Sequence, residues 1–318
     1  MRGTRLSALL AVSAAHLAGA TNAATSPLSK LQRLSTPRWA RLLDPSISML
    51  VQVGAYDHAP QGHLEHDPAP GLVSRGWKSI LIEPIVPIFE RLKANYASRT
   101  RAGLRIVNAA VCPRCDMPSP RMHFLDVASN SSFGSRDSDV RCMNQSGLRW
   151  VTEIASFSAR HLLKHEYLFS RMPRKCEACG KALGRPLTPS CMRRLISKNI
   201  RTVPVPCFCL RSELASEPTV TLLTVDAEGH DFDVLNSYPF DVPHLRPWRV
   251  HFEARHLSRE AYLNATALLS AHGYGHVAGS RRAEVDTWHL IASAEPKFGI
   301  RKPSLATSTR TSETMTNQ

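Results

Sequence analysis

Short apolar runs recur along this chain, and most of them stop at a glycine or at a polar or charged residue. Those expected in the core are ISMLVQVGA (47–55), KSILIEP (78–84), LRIVNAAV (104–111), TVTLLTVD (219–226), WRVHFEA (248–254) and TWHLIAS (287–293). Apolar runs of this length without polar alternation are typical of strands that are buried on both faces. They predict a mostly parallel sheet, with MHFLDV (122–127) as an edge strand.

Helical patterns lie between these runs. A helix after the second run is predicted by four residues at helical spacing, Ile85, Phe89, Leu92 and Tyr96. Another helix is predicted from Ser258, a suitable N-cap, to a stop at Gly273. Strands that alternate with helices predict an α/β fold with a doubly wound sheet.

The first 24 residues have the pattern of a targeting segment. Arg2 and Arg5 precede an apolar run at 6–20, and small residues follow, as in a secretory signal. No acidic residue occurs before Asp44, which is also typical of organelle transit peptides. We expect entry into the secretory pathway, with a plastid or mitochondrial destination, or an uncleaved membrane anchor, as alternatives.

The remaining chain divides into a linker, one domain and a tail. We expect residues 25–45 to be the linker, residues 46–300 the domain, and the Ser/Thr-rich residues 301–318 a disordered tail. Residues 141–210 interrupt the strand–helix rhythm and hold six of the eight cysteines, which predicts a cysteine-rich insertion.

The cysteines of this insertion allow two interpretations. Cys176, Cys179 and Cys191, with the CFC sequence at 207–209, have a spacing that suits four thiolate ligands of zinc. Disulfides are the first expectation, because an exported chain folds in an oxidising compartment. A further C-x2-C lies at 112–115, directly after the third core run.

The residues at the ends of the predicted strands are the candidates for a ligand site, because parallel sheets bind ligands beyond their carboxyl ends. Gly54 allows a cofactor to approach the backbone after the first strand. Glu83, after the second strand, suits the hydroxyls of a ribose. Asn108 follows the third strand among small residues that leave room for a flat ring.

Five sequence blocks contain most of the predicted strand ends: VQVGAYDH, ILIEP followed by F-x-x-L-x-x-NY, IVNAAV, D-x-EGHDF-x-VL and VHFEARHLS. In this order, these blocks resemble the FkbM family of S-adenosylmethionine-dependent methyltransferases. The resemblance covers roughly residues 47–135 and 219–292. It implies a seven-stranded class I (Rossmann-like) methyltransferase sheet with a final antiparallel hairpin, and S-adenosyl-L-methionine as cofactor. The acceptor would be a hydroxyl group of a sugar, a lipid or a natural product.

We expect Gly54, Asp57, Glu83, Asn108 and Asp226 to form the cofactor site. A nicotinamide-dependent oxidoreductase ranks last among the alternatives, because the full G-x-G-x-x-G sequence is absent.

The first loop departs from the family pattern, which commonly reads D-x-G-A-N-x-G. Gln52, Tyr56 and His58 stand in place of the acid, the asparagine and the second glycine. A side chain at a position that needs positive φ costs roughly 1 kcal/mol, which a fold tolerates. The altered loop motivates the alternative function, an inactive scaffold protein that keeps the methyltransferase fold.

A hydroxyl acceptor must lose its proton as the methyl group arrives. His230 is the predicted general base, because the ordinary pKa of histidine lies near the working pH. Asp226 would orient His230 or hold the methionine part of the cofactor, and Glu253 would face the same site from the neighbouring strand.

Two other interpretations of this acidic segment exist. The carboxylates at 226–233 would only cap a helix, with His230 bonded to the backbone. In a metal-dependent version, Asp226, His230 and Glu253 would be ligands. That version ranks lower, and we assign no metal from the sequence.

Charge and composition restrict the expected partners. The formal net charge is +14 and the pI is near 9.8, but the basic residues are scattered and lack an aromatic-interleaved motif. We therefore expect no nucleic-acid partner. A small-molecule or glycan acceptor is expected, and contact with a membrane only through an uncleaved N-terminal segment.

Overall fold

The computed structural model describes the predicted domain with gaps. The described residues are 39–58, 67–97, 103–116, 118–126, 154–164, 177, 180–181, 184, 196–281 and 285–291. The predicted targeting segment at 1–24 and the predicted tail at 301–318 lie outside them. In this part of the chain, no helix has the length and apolar character needed to cross a membrane.

The elements alternate as the sequence predicted. The strands are β1 Met49–Val53, β2 Lys78–Ile82, β3 Leu104–Val107, β4 Ala110–Val111, β5 Arg121–Leu125, β6 Ala155–Ser156, β7 Ile200–Pro204, β8 Cys207–Phe208, β9 Leu222–Val225, β10 Arg249–Phe252, β11 Tyr274–Ala278 and β12 Asp286–Leu290. The helices are α1 Ala69–Ser74, α2 Val86–Tyr96, α3 Ala159–Lys164, α4 Leu210–Glu213, α5 Asp231–Ser237 and α6 Arg259–Ala271.

A seven-stranded sheet forms the centre, in the order β11-β12-β10-β9-β1-β2-β3. β1 pairs in parallel with β2 on one side and with β9 on the other. β12 runs antiparallel to both β10 and β11, so the last two strands form an antiparallel hairpin. The predicted mostly parallel α/β sheet is confirmed, and its strand order reverses at β1.

Both faces of β1 are buried, which explains the lack of polar alternation in its sequence. Met49, Val51 and Val53 pack into the cluster that contains residues of α5 and α6. Leu50 packs into the opposite cluster, together with residues of α1 and α2. The helices therefore cover the two faces, as in a doubly wound sheet.

The two predicted helices are present with the expected ends. Ile85 is the N-cap of α2, and Phe89 is only half-buried, whereas Ile88 is buried. The Ser258 side chain accepts a hydrogen bond from the Ala261 N–H at 3.0 Å and caps α6. Gly273 has a φ of +86° just after the end of α6, as the sequence predicted.

The sequence predicted one strand over LRIVNAAV, but the structure divides this run into two strands. β3 leaves the edge of the central sheet at Val107, and β4 then pairs in parallel with β8. The Asn108 amide donates to the carbonyl oxygens of Glu83 and Pro84 at 2.9 and 3.0 Å. These two hydrogen bonds fix the position at which the chain leaves the central sheet.

The predicted edge strand at 122–127 is the middle strand of a second sheet. β5 pairs antiparallel with β6 on one side and with β7 on the other. Both neighbours come from residues 141–210, which the sequence analysis treated as a separate insertion. The described parts of that segment are therefore built into the core domain through β5.

Two disulfides join the same two segments of the chain. Cys112 is bonded to Cys207 and Cys115 to Cys209, with Cα–Cα distances of 5.5 and 5.1 Å. The disulfide prediction is confirmed for these four residues, and the CFC sequence cannot also complete a zinc site. The other four cysteines, Cys142, Cys176, Cys179 and Cys191, lie outside the described residues.

The folded domain begins earlier than residue 46. Ala40 and Leu43 are buried in the cluster that contains Trp77. The Trp39 ring packs edge-on against Trp248 with centroids 5.3 Å apart. At least residues 39–45, assigned from the sequence to a linker, therefore pack against the domain.

Loss of both disulfides should cost more than the sum of the two separate losses. Cys112 and Cys207 are 95 residues apart, and once they are bonded the second bridge closes only a small ring. From the loop-closure entropy of the unfolded chain, the bridge that forms first stabilises the protein by about 5 kcal/mol and the second by about 2 kcal/mol.

Urea unfolding of the oxidised protein measures this difference. We expect a loss of about 2 kcal/mol for Cys115→Ser with Cys209→Ser, and about 7 kcal/mol when Cys112→Ser and Cys207→Ser are added. If removing both bridges lowered the free energy of unfolding by only about 4 kcal/mol, the sum of the two separate losses, the two bridges would not constrain the same loop.

Candidate active site

Five candidate residues form one row across the carboxyl edge of the central sheet. Val53 is level with Ile82 and Val225, Ile82 with Val107, and Val225 with Phe252. The next residue of each strand therefore lies at the same edge. These residues are Gly54, Glu83, Asn108, Asp226 and Glu253. The strands thus bring the predicted cofactor and catalytic positions together at the point where the strand order reverses.

Gly54 is required by the close approach of two strand ends. It has a φ of +76°, and a Cβ built on it would lie 1.8 Å from the carbonyl oxygen of Asp226. Its N–H donates to the Ile82 carbonyl at 3.0 Å, and the Asp226 N–H donates to the Val53 carbonyl at 2.9 Å, so both neighbouring strands hold the turn. No other residue type combines this φ with this space.

Glu83 is a buried acceptor, only 4% exposed. Its two carboxylate oxygens accept hydrogen bonds from the N–H groups of Ile85 and Tyr56, at 2.9 and 3.0 Å. Burial raises the pKa of Glu83 to about 7, although both N–H groups and the charge of Arg91 favour the ionised form. Each oxygen keeps a second lone pair that can accept from a hydroxyl group.

Asp57 lies against α2 and not at the open edge. Its carboxylate is 1% exposed and accepts from Nε of Arg91 at 2.8 Å. The Asn95 amide donates to the Asp57 carbonyl at 2.6 Å. These contacts fix the first loop to the helix.

The unusual residues of the first loop form a buried polar network. The Gln52 amide donates to Asp67 at 3.0 Å, and Nε2 of His58 lies 2.9 Å from the same carboxylate oxygen. Nδ1 of His58 is 2.7 Å from the Tyr96 hydroxyl. Burial opposes the ionised form of Asp67, but His58 and the hydrogen bonds outweigh it and lower the pKa.

The same loop adopts the backbone conformation that the family pattern assigns to small residues. Tyr56 and His58 both have a φ of +49°, so the predicted strain is present at both positions. The network around His58 provides interactions that offset this cost. In this loop the acid is Asp67, which accepts from Gln52 and contacts His58.

Asp231 shapes the acidic loop after β9. It is fully buried and accepts from the N–H groups of Ala227, Gly229 and Glu253 at 3.2–3.3 Å. Burial and the charge of Asp226 raise the pKa of Asp231 to about 8, against the effect of these donors. The helix-capping interpretation is wrong for this carboxyl group, because its three donors lie outside α5 and the side chain of the N-cap residue makes no capping hydrogen bond to that helix. Asp231 instead ties the loop after β9 to the residue that follows β10.

His230 is the N-cap residue of α5, and its side chain is 29% exposed. Its Nδ1 lies 3.1 Å from Oδ2 of Asp233, and its ring packs edge-on against Phe157 at 5.0 Å between centroids. The prediction named Asp226 as the residue that orients His230, but the observed partner is Asp233. Nδ1 is held by this contact, so Nε2 is the nitrogen available to a substrate.

A second group of side chains lies behind this loop. Nε2 of His161 is 2.9 Å from Oε2 of Glu228, and Nε2 of His256 is 3.6 Å from the same oxygen. His256 is also 3.4 Å from Oε1 of Glu253. Burial, then the charges of Asp226, Glu228 and Asp231, raise the pKa of Glu253 well above its ordinary value.

The sequence analysis missed His161, because no local pattern marks it. It lies on α3, in the segment that was treated as an insertion, and only the tertiary fold brings it to the loop. Gly229 makes room for it, since a Cβ there would lie 3.2 Å from Nδ1 of His161. The 154–164 segment therefore completes the site.

Two overlapping groups in the described part of the chain have the spacing of metal ligands. One is His161, Glu228 and His256, and the other is Asp226, Glu228 and Glu253, with the ligand atoms of each group within 4.8 Å of one another. His230 belongs to neither group, unlike in the metal-dependent alternative drawn from the sequence.

The sequence profile described as "Methyltransferase FkbM domain" matches residues 52–275 of this chain. The match begins in β1, ends in β11 and covers more than half of the chain. The protein is therefore a methyltransferase by class, and it belongs to the FkbM family. Members of this family generally use S-adenosylmethionine. No curated protein matches the chain.

Replacement of Gly54 by alanine should destabilise the protein more than the same change at Gly273. Both residues have similar positive φ, at +76° and +86°, but the nearest atom to a Cβ on Gly273 is 3.9 Å away. We expect about 1 kcal/mol for Gly273→Ala and about 2–4 kcal/mol for Gly54→Ala. Urea unfolding compares them, and equal losses would show that the contact with Asp226 is unimportant.

Proposed function

We propose that this protein transfers the methyl group of S-adenosylmethionine to a hydroxyl group of a sugar, a lipid or a natural product. The observation that carries the proposal is the position of Glu83, a buried acceptor level with Gly54 at the point where the strand order reverses. Ligands of such sheets bind at this point, and an acid after the second strand suits a ribose.

The residues present fit the chemistry of this cofactor. Glu83 offers two carboxylate oxygens with lone pairs for the ribose hydroxyls, and the N–H groups of Tyr56 and Ile85 fix their direction. Asp226, exposed at the end of β9, complements the positive charge of a sulfonium or an ammonium group. When bound, S-adenosylmethionine supplies an activated methyl group.

The chain must also position the acceptor and take its proton. His230 is the proposed base, since Asp233 holds Nδ1 and the side chain is partly exposed. Phe157 packs against the face of the loop and limits the motion of the imidazole ring. Glu253 is buried behind Glu228, so we propose that it supports the loop and does not receive the proton.

We propose that the protein matures in the secretory pathway. The two disulfides are favoured by an oxidising compartment, and the N-terminal sequence has the pattern of a secretory signal. A glycan or another small acceptor met in that pathway is the proposed partner. Nucleic acid is not proposed, because the basic residues are scattered.

Calorimetry with S-adenosylmethionine tests the cofactor site. We expect Glu83→Ala to weaken binding tenfold or more, about 1.4 kcal/mol, because a ribose acceptor is removed. Glu90→Ala is the matched control, since Glu90 is an exposed residue of α2 and should not affect binding. A folded protein that binds no S-adenosylmethionine would support the inactive scaffold, and binding of NAD instead would support an oxidoreductase.

Turnover tests the proposed base. With labelled S-adenosylmethionine and glycan or lipid extracts as acceptors, His230→Ala should lower turnover roughly a hundredfold and leave cofactor affinity nearly unchanged. Exposed His244 provides the control, since His244→Ala lies on a different surface segment and should retain the activity. Normal turnover by His230→Ala would exclude this residue as the base.

A further inference from the structure

Four side chains from separate segments converge behind the acidic loop. His161 comes from α3, Glu228 from the loop after β9, and Glu253 and His256 follow β10. Their ligand atoms are separated by 2.9, 3.6 and 3.4 Å along the chain of contacts His161–Glu228–His256–Glu253. The side chain of His161 is only 9% exposed, so the group is shielded from solvent on that side.

These separations match the geometry of ligands around a shared ion. Ligand atoms about 2.1 Å from one metal ion are about 3.0 Å apart at a right angle and about 3.4 Å apart at a tetrahedral angle. The 3.6 Å between His256 and Glu228 is too long for a hydrogen bond, yet it corresponds to an angle of about 120° at such an ion. The 2.9 Å contact between His161 and Glu228 has the length of a hydrogen bond, whereas the two longer contacts of His256 fit edges of a coordination sphere better than hydrogen bonds.

An independent observation concerns the carboxylate of Glu253. Oε2 of Glu253 is buried and has no hydrogen-bond partner among the described residues, and Glu253 as a whole is 8% exposed. Its carboxylate also lies within 4.8 Å of those of Asp226 and Glu228. A buried oxygen with no donor is costly, and an ion held by His161, Glu228 and His256 would place positive charge next to this carboxylate and reduce the repulsion among the three acids.

We propose that His161, Glu228 and His256, with Glu253 beside them, bind one divalent transition-metal ion such as Mn²⁺ or Zn²⁺. Imidazole nitrogens together with carboxylates suit these ions, whereas Mg²⁺ and Ca²⁺ prefer oxygen ligands alone. The site does not depend on the proposed methyl transfer, because it is defined by its own ligands. It also differs from the metal set considered from the sequence, which contained His230 and lacked both other histidines.

The contact between Lys164 and His256 is compatible with the ion-free form of the site and not with the ion-bound form. Its Nζ lies 3.1 Å from Nδ1 of His256. A charged ammonium can only donate, so this contact leaves the His256 proton on Nε2, the nitrogen that faces Glu228 and Glu253. An ion must displace that proton and the contact with Lys164. Lys164→Gln removes the opposing charge, and its amide oxygen can accept from Nδ1–H, as partners of metal-bound histidines do.

Binding of Mn²⁺, followed by the loss of the free-ion electron paramagnetic resonance signal, tests the site in the full chain without cofactor or acceptor. Mn²⁺ is the probe because thiolates of other cysteines favour Zn²⁺. We expect one bound ion, tenfold or weaker affinity in His161→Gln and Glu228→Gln, and tighter binding in Lys164→Gln. His244→Gln is the matched control and should bind as the unmodified chain does.

Two results would overturn the proposal. One is the absence of Mn²⁺ binding by the folded, unmodified protein at millimolar concentration. The other is binding that Asp226→Asn abolishes and His161→Gln leaves unchanged, since the all-oxygen group would then hold the ion. The tighter Mn²⁺ binding expected for Lys164→Gln cannot arise from misfolding. It therefore tests the site even if a variant of one of the ligands is unstable.

Discussion

The parallel pairing of β1 with β2 and β9 is the constraint on which the site depends. The register places Val53 level with Ile82 and Val225, so the three strands end in one row. Gly54 then turns the chain where a Cβ would meet the Asp226 carbonyl. Any shift of this register would separate the buried acid after β2 from the acidic loop after β9. Backbone pairing therefore determines which side chains lie next to one another in the site.

Ionisable residues at this edge divide into those that build loops and those that remain for a ligand. The Asp57 carboxylate accepts a hydrogen bond from Arg91, and the Asp231 carboxylate accepts from three backbone N–H groups. Glu83 does both, since it braces the first loop and retains acceptor capacity. Position after a strand thus identifies candidates, whereas only the hydrogen-bond partners show which carboxylates are already committed to the fold.

The central sheet could be predicted because its strands are continuous apolar runs, and the five residues of the strand-end row follow from them. A strand at β5 was predicted, but β4, the pairing of β5 and the role of residues 141–210 were not, because these pairings join segments that are distant in sequence. His161 was missed for the same reason. The Asp233 partner of His230 lies three residues away, so helical spacing could have found it.

A crystal structure with S-adenosylhomocysteine bound tests the central claim most directly, because it shows where a nucleoside meets the row of strand ends. The account predicts ribose hydroxyls within about 3 Å of the Glu83 oxygens, with the sulfur directed toward the loop of Asp226 and His230. A nucleoside bound elsewhere, with Glu83 contacting only Tyr56 and Ile85, would contradict it.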